Sequence, residues 1–349
     1  MGEEALGCRK AETSMTETVF ITGATGFVGG NLVRLLLEQG CRVRALVRPE
    51  SRLTNLQGLE VELVRGSLTD RNLAEKMQGC RAVFHAAAHY SLLQSEKDRL
   101  YTFNVLGTRN VLAAARQAGV ARTVYTSSVA AIGVKENGIA NETYQSPVAN
   151  LIGYYKQSKY WAEQEALKAV ASGQDVVIVN PSTPIGAWDV KPTPTGDIVL
   201  RFLRRQMPFY LHTGLNLIHV QDVAWGHWQA YQKGKAGDRY ILGHQNMTLQ
   251  AMLQQLSQIT GLPAPARAIP AWIPLSVAWV DERLLAPFGK VPSVPIDGVR
   301  MAGQFMYYDS TKAIRALNLP QTPIVTALQD AVEWFVTNNY VTHKVSLSR

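Results

Sequence analysis

Cysteine is scarce in this chain: its 349 residues include three, Cys8, Cys41 and Cys80. Without paired or metal-ligand spacing they form neither a disulfide framework nor a thiolate metal site, so a reducing, cytoplasmic setting is expected. No N-terminal segment joins a basic region to an apolar one, so secretion is not expected. Long hydrophobic runs are also missing. The most apolar stretch, AIPAWIPLSVAWV from Ala268 to Val280, is too short to cross a bilayer and is broken by Pro270 and Pro274. No integral membrane span is expected. The stretch reads as core or lid, or as a membrane contact if the substrate is a lipid. Repeats and low-complexity tracts are absent. The net charge of +8 has no aromatic-interleaved basic stripe behind it, only the local cluster RFLRRQ (Arg201 to Gln206). Nucleic acid is therefore not an expected partner; the charge suits solubility or an anionic small molecule.

What is present suits a sizeable core: 46% of residues are hydrophobic and 18% charged. Residues 1–14 show no apolar periodicity and precede a second methionine, Met15, so they read as a disordered leader, a cloning remnant or a misassigned start. From Thr18 onward, apolar runs alternate with amphipathic segments. Strands are expected at Thr18–Gly23, Cys41–Arg48, Val61–Gly66, Ala82–Ala87, Arg122–Ser128 and Asp175–Pro181. Helices are expected at Phe27–Gly40, Leu73–Gln78, Tyr101–Ala118 and Tyr154–Ala171. Continuous rather than alternating apolar strands suit a parallel sheet covered on both faces, so the spacing predicts an α/β, doubly wound Rossmann-type fold. That domain is expected over residues 15–182, with Leu217–Gln232 and Arg239–Gly243 returning to the sheet (about 216–243). The Pro- and Gly-rich segments 183–215 and 244–340 are expected to form a smaller substrate-binding cap.

The turn GATGFVG sets Gly23, Gly26 and Gly29 between the first strand and first helix, with Thr25, Phe27 and Val28 among them. Small residues there let the backbone approach a pyrophosphate at the positive end of the helix, so a dinucleotide is expected. The second strand ends ALVRPESR. Arg48 stands where NAD-binding chains usually carry an acidic residue for the ribose hydroxyl, and no carboxylate is expected to repel a 2′-phosphate there. NADP(H) is therefore favoured over NAD(H), with Arg48 as a plain loop charge the alternative.

YYKQSKY (Tyr154 to Tyr160) contains one couple with Tyr-x-x-x-Lys order on one helical face, Tyr155 with Lys159. Tyr154 and Lys156 read as ordinary helix residues, and Tyr160 as a helix-interface residue. A tyrosine becomes an acid–base near neutral pH only if something favours its phenolate, and an adjacent ammonium does so. Ser127 and Ser128 close the fifth strand at the sheet's C-terminal edge, where a hydroxyl can hold a substrate oxygen.

Thr-Gly-x-x-Gly-x-x-Gly (Thr22 to Gly29), Tyr-Thr-Ser-Ser (Tyr125 to Ser128) and Tyr155-x-x-x-Lys159 together resemble the extended short-chain dehydrogenase/reductases. NVLGTRN, NPSTPIG, LIHVQDVA and DSTKAIRALNLP extend the resemblance from about Val19 to Phe335. It is strongest to the dihydroflavonol reductase-like branch and, through IDGVRMAGQFMYYDSTKA, to bacterial hopanoid-associated sugar epimerases.

The resemblance implies Tyr155 as acid–base, Lys159 as ribose ligand lowering the Tyr155 pKa, Ser128 as holder of the substrate oxygen and Asn104 as support for a proton relay. An alternative for Asn104 is an amide that stabilises the turn. It implies Ser67, Leu68, Ala86, Ala87, Ala88 and Pro181 along the cofactor, and His89, Tyr90 and Ser182 beside the substrate. His89 and Tyr90 have a purely structural alternative. Ser67 stands where relatives often carry Asp for the adenine. Val129 and Ala130 replace the acidic residues of dehydratases, so dehydration is disfavoured. Leu215 and Asn216 stand where nucleotide-sugar epimerases commonly carry a diphosphate-gripping Arg; Arg201, Arg204 or Arg205 would have to substitute. Trp188, Trp272 and Trp279 suit an apolar pocket or simple cap packing. The resemblance also implies a homodimer through the helices at 101–118 and 154–171. The leading expectation is an NADP(H)-dependent reductase or dehydrogenase of a cyclic or apolar substrate. A sugar epimerase with tightly held cofactor and a non-enzymatic dinucleotide sensor are the alternatives.

Overall fold

The computed structural model describes residues 17–270, 272–276 and 296–342. The expected leader at 1–14, the later part of the Ala268–Val280 stretch and Trp279 lie outside the described residues. The first six strands are β1 (Thr18–Thr22), β2 (Arg42–Val47), β3 (Val61–Arg65), β4 (Ala82–His85), β5 (Arg122–Thr126) and β6 (Val176–Pro181). Four short strands follow: β7 (Thr183–Ile185), β8 (Tyr210–Leu211), β9 (Gly214–His219) and β10 (Arg239–Leu242). The last three are β11 (Gln245–Thr248), β12 (Ala268–Ile269) and β13 (Phe305–Met306).

Seven strands form a sheet in the order β10-β6-β5-β4-β1-β2-β3, every pair parallel. This is the expected doubly wound α/β fold. The central strands β4 and β6 are buried at every residue, while the edge strand β3 is partly exposed throughout. Period-two alternation sends Val19 and Ile21 into one core and Phe20 into another across the sheet. The first face is covered by α1 (Phe27–Glu38). The second carries α2 (Leu73–Met77), α3 (Gly107–Gln117) and, past the one-turn α4 (Val129–Ile132), α5 (Gly153–Ala171). Each large side chain sealed this way contributes roughly 1.5–3 kcal/mol.

Chain order reverses between β1 and β4, where Thr22 pairs with His85. A crevice opens there beyond the strand ends, the usual ligand position of open α/β sheets.

Two expectations about the chain's course are corrected. Leu217–Gln232 does not re-enter the main sheet. β9 joins β11, β13 and β7 in a second sheet, and the next segment is α7 (Val220–Lys233, numbered after α6, Pro194–Leu203). α7 packs on α1, and only β10 adds a strand to the main sheet. The helix expected at Tyr101–Ala118 begins as a one-turn helix, Lys97–Leu100, and passes through a π-helical turn, Tyr101–Leu106, before α3. The extra backbone of such turns commonly marks functional positions. The second sheet is backed by its own core, in which Phe202, Leu203, Met252, Leu256, Leu328 and Phe335 meet.

Candidate active site

The glycine turn closes tightly. Gly23 has φ +77°, and a Cβ there would lie 2.6–2.7 Å from the Ala86 and Ala87 backbone. A Cβ on Gly29 would strike the Gly23 carbonyl. Both positions therefore demand glycine. α1 starts at Gly26 without any side-chain cap, so its first N–H groups are left for a ligand. Thr25, Phe27 and Val28 complete the turn. Asn55, which carried no recognisable signal in the sequence, ties it down: its Nδ2 donates to the carbonyls of Thr25 (3.1 Å) and Gly26 (3.2 Å). An uncapped helix start behind a glycine cradle fits a dinucleotide pyrophosphate.

Ala86 and Ala87 line the other side of this crevice, their N–H groups donating to the Thr22 carbonyl (3.2 Å) and Oγ1 (3.3 Å). Beneath them runs a buried chain. Thr108 Oγ1 donates to the Asn104 carbonyl (2.6 Å), so it accepts from His85 Nε2 (3.0 Å). His85 Nδ1 in turn accepts from Thr22 Oγ1 (2.7 Å). Burial, with the Lys159 charge adding, pulls the His85 pKa down to about 3, so the ring is neutral and its tautomer set by these partners.

Tyr155 and Ser128 are brought together. Burial pushes the Tyr155 phenol up to about 12, and the facing Ser128 hydroxyl pulls it the other way. Ser128 also caps α4 by accepting from Ala130 N (3.1 Å). Tyr90 stacks edge-on against Tyr155, with ring centroids 4.6 Å apart. Lys159 is buried, and its Nζ donates to the Thr126 carbonyl (2.8 Å). Burial lowers the Lys159 pKa to about 8, against the opposing charge of Glu163. Burial thus holds the Tyr155 phenol above its ordinary value, and the Lys159 ammonium is directed at the Thr126 carbonyl.

Glu163, one turn further along α5, anchors the floor of this site. Its carboxylate accepts from Ser127 Oγ, Asn180 Nδ2 (2.8 Å) and Arg239 Nη1 (3.0 Å). Sequence spacing did not single out this residue, although its position four after Lys159 was a usable signal.

Asn104 does not reach Tyr155. Its carboxamide accepts from His89 N (2.7 Å) and donates to His89 O (2.9 Å) and to Ser158 Oγ (2.8 Å). Ser158 donates to the Tyr155 carbonyl (2.7 Å). With its carbonyl held by Thr108, Asn104 ties the His89 backbone to α5 through Ser158. His89 turns away to Glu96 (2.7 Å), so Tyr90 alone of that pair is beside Tyr155.

The remaining expected residues are spread along the crevice or lie apart from it. Arg48 is half-exposed and pairs with Glu50 at 3.2 Å, so the expected lack of a carboxylate at that strand end is corrected. Ser67 bonds Thr69 (3.1 Å), whereas Leu68 is buried against Gly107. Ala88 is exposed. Pro181 ends β6, and the buried Ser182 hydroxyl next to it has no partner among the described residues. Trp188 is no pocket wall: Arg34 lies over its ring at 3.6 Å and Trp334 is beside it. Trp272 is exposed. Among the described residues, no three His, Cys, Asp or Glu side chains cluster to hold a metal ion.

Similarity to known proteins agrees with this arrangement. The chain is 63% identical over 333 residues to a Synechocystis sp. protein provisionally named dihydroflavonol 4-reductase, covering 94% of this chain and 97% of that one. It is 34% identical to sterol demethylase protein B of Methylococcus capsulatus, covering 91% and 98%. The crystal structure of gox2253 superposes with a TM-score of 0.84 at 41% identity, covering 94% of this chain and all of that one. Residues 19–243 match the NAD dependent epimerase/dehydratase family, and the chain belongs to that family of NAD(P)-dependent enzymes.

Proposed function

We propose that the protein is an NADP(H)-dependent oxidoreductase that transfers hydride to or from a carbonyl or alcohol of a cyclic or apolar small molecule. The observation that carries this reading is Tyr155 facing Ser128 at the end of β5, in the same parallel sheet whose first turn is the glycine cradle, with Lys159 buried one turn along the same helix. The bound nicotinamide would supply or accept the hydride. Ser128 and Tyr155 would hold the substrate oxygen between their hydroxyls. A phenol at about 12 keeps its proton at neutral pH and releases it only as that oxygen becomes a basic alkoxide. This favours Tyr155 as the acid of carbonyl reduction. Segments 183–215 and 244–340 would form the cap over the substrate.

Three observations weigh against a nucleotide-sugar epimerase. Asn216, at the position expected for a diphosphate-gripping arginine, is buried and bonded to Asn246 and the Tyr308 carbonyl. Arg204 is held by the Tyr340 carbonyl. The names of the two relatives, a dihydroflavonol reductase and a sterol demethylase protein, also support an apolar ring-bearing substrate. Arg48 supports NADP(H), since an exposed pair with Glu50 is weak enough to exchange for a 2′-phosphate; NAD(H) is the alternative. Exposed Tyr101 and Trp161, on the π-helical turn and on α5, support a homodimer through these helices.

The test is consumption of NADPH or NADH, followed by absorbance, with a panel of cyclic ketones. An epimerase shows no net consumption. Tyr155→Phe should lower kcat by about 10²–10⁴; full activity in this variant would refute the mechanism.

A further inference from the structure

Lys156 follows Tyr155 on α5 and was expected to be an ordinary helix residue. It is instead buried, at 6% exposure, and its ammonium has no hydrogen-bond or ion-pair partner among the described residues. The other buried charged side chains all have one. Lys159 has the Thr126 carbonyl, Glu163 has Arg239, and Glu165 has Arg109. Asp189 has Thr193, Asp222 has Thr322, and Asp297 has Arg300. A lysine whose stem is buried and whose ammonium has only solvent beside it can receive an anion.

A cavity is there. Lys156 lines a space of about 850 Å³ between the loop after α4 and the segment entering β13. Its other polar walls include Lys135, Glu136, Tyr144, Ser146 and Tyr307. Lys135 and Glu136 are exposed, so their charges face water. Ser146 is buried, and its hydroxyl has no partner among the described residues. Burial lowers the Lys156 pKa to about 8, which an anion placed beside it would reverse.

We propose that this cavity is an anion-binding subsite in which Lys156 pairs with a carboxylate carried by the substrate. The assignment rests on the reading of Tyr155 as the reacting residue, because Lys156 follows it on α5; the cavity itself is walled by Lys156, Ser146 and the 133–139 and 303–307 segments. A carboxylate is preferred to a phosphate because the lining holds one buried ammonium and no arginine. One point charge balances one carboxylate, whereas a phosphate ester brings nearly two charges. The substrate class is then a hydroxy or keto acid whose remainder is apolar.

The test is calorimetric titration of the full chain with cyclohexanecarboxylate, cyclohexanemethanol and cyclohexyl phosphate. The carboxylate should bind about tenfold or more tightly than the alcohol. Lys156→Met and Lys156→Gln, checked for an unchanged melting temperature, should abolish that preference. In the unmutated protein just above pH 8, two buffers of different ionisation heat should reveal proton uptake on carboxylate binding. Lys159 is also lowered to about 8, so the uptake is assigned to Lys156 only if Lys156→Met and Lys156→Gln lose it; uptake retained in both variants would count against the proposal. Equal binding of acid and alcohol, no binding of either, a tenfold preference for the phosphate, or a preference retained in both variants would each overturn the proposal. Binding needs no turnover, so this failure is separable from a failure of the Tyr155→Phe assay.

Discussion

Glu163→Gln separates the charge on α5 from its shape. The carboxylate is 1% exposed and accepts from three donors, Ser127, Asn180 and Arg239, so it is held as an acceptor-only group. Its charge is the force that opposes the lowering of the Lys159 pKa by burial. A glutamine keeps the volume but removes the charge and points an N–H₂ toward groups that themselves donate. With burial unopposed, Lys159 should lose its proton below about pH 8. If the active form requires the ammonium, activity falls as pH rises through the Lys159 pKa. The alkaline limb of the kcat/KM profile should therefore move to lower pH.

Stability should drop as well. Removing one partner of a buried ion pair typically costs about 3–5 kcal/mol. The low end is expected, because Arg239 keeps its bonds to Gln145 Oε1 (2.9 Å) and the Glu142 carbonyl. The double variant with Arg239→Met should cost less than the sum of the two single changes. Linkage through Lys159 has a definite sign. Its folded pKa of about 8 lies below the ordinary 10.5, so the unfolded chain binds more protons between these values. The contribution of this lysine to stability therefore rises as pH rises from about 8 toward 10.5, and the variant should widen that window downward. Rate profiles across pH and denaturant melts measure both effects. A folded Glu163→Gln with an unshifted alkaline limb would refute the electrostatic coupling of Glu163 to Lys159.

Three further substitutions test the remaining parts of the site. Gly23→Ala forces a Cβ into the Ala86–Ala87 backbone at a φ of +77°, so dinucleotide binding measured by NADPH fluorescence should weaken at least about tenfold, with about 1–3 kcal/mol of stability lost. Asn104→Ala leaves the His89 N–H and carbonyl without their partner and should cost about 1–3 kcal/mol in a melt. It should lower activity much less than Tyr155→Phe, since no reacting atom meets its amide; an equal loss would restore Asn104 to the proton relay. Arg48→Glu should weaken NADPH by about tenfold or more relative to NADH in paired titrations, and unchanged selectivity would make Arg48 a loop charge only.

The fold was legible because its determinants are local. Uninterrupted apolar runs such as VVIV in β6 have no polar face to offer water, so both sides must be covered, and the chain supplies helices between them. The glycine turn was legible because the approach of Gly29 to the Gly23 carbonyl acts within seven residues, although the contact of Gly23 with the Ala86–Ala87 backbone does not. What sequence spacing missed depends on contacts between distant segments. Asn55 reaches the turn from about thirty residues away, and the second sheet assembles β7, β9, β11 and β13 from segments spread over more than a hundred residues. The π-helical turn was hidden because apolar periodicity cannot distinguish one added residue from ordinary helix.

YYKQSKY separates the two kinds of information most sharply. Helical spacing shows that Tyr155 and Lys159 share a face, and that much is local geometry. Spacing does not show what covers the other faces of the same helix. Serine at 158 holds the Tyr155 carbonyl and Asn104 together, Lys159 is drawn to Thr126, and Lys156 is buried beside a cavity. A lysine is read as solvated by default because water is its cheapest partner. That default fails where the loop leading into the helix, 133–151, and the distant segment 303–307 wall a cavity beside it. The ammonium at position 156 is thus a charge whose environment depends partly on packing of the 303–307 segment, which helical spacing does not show.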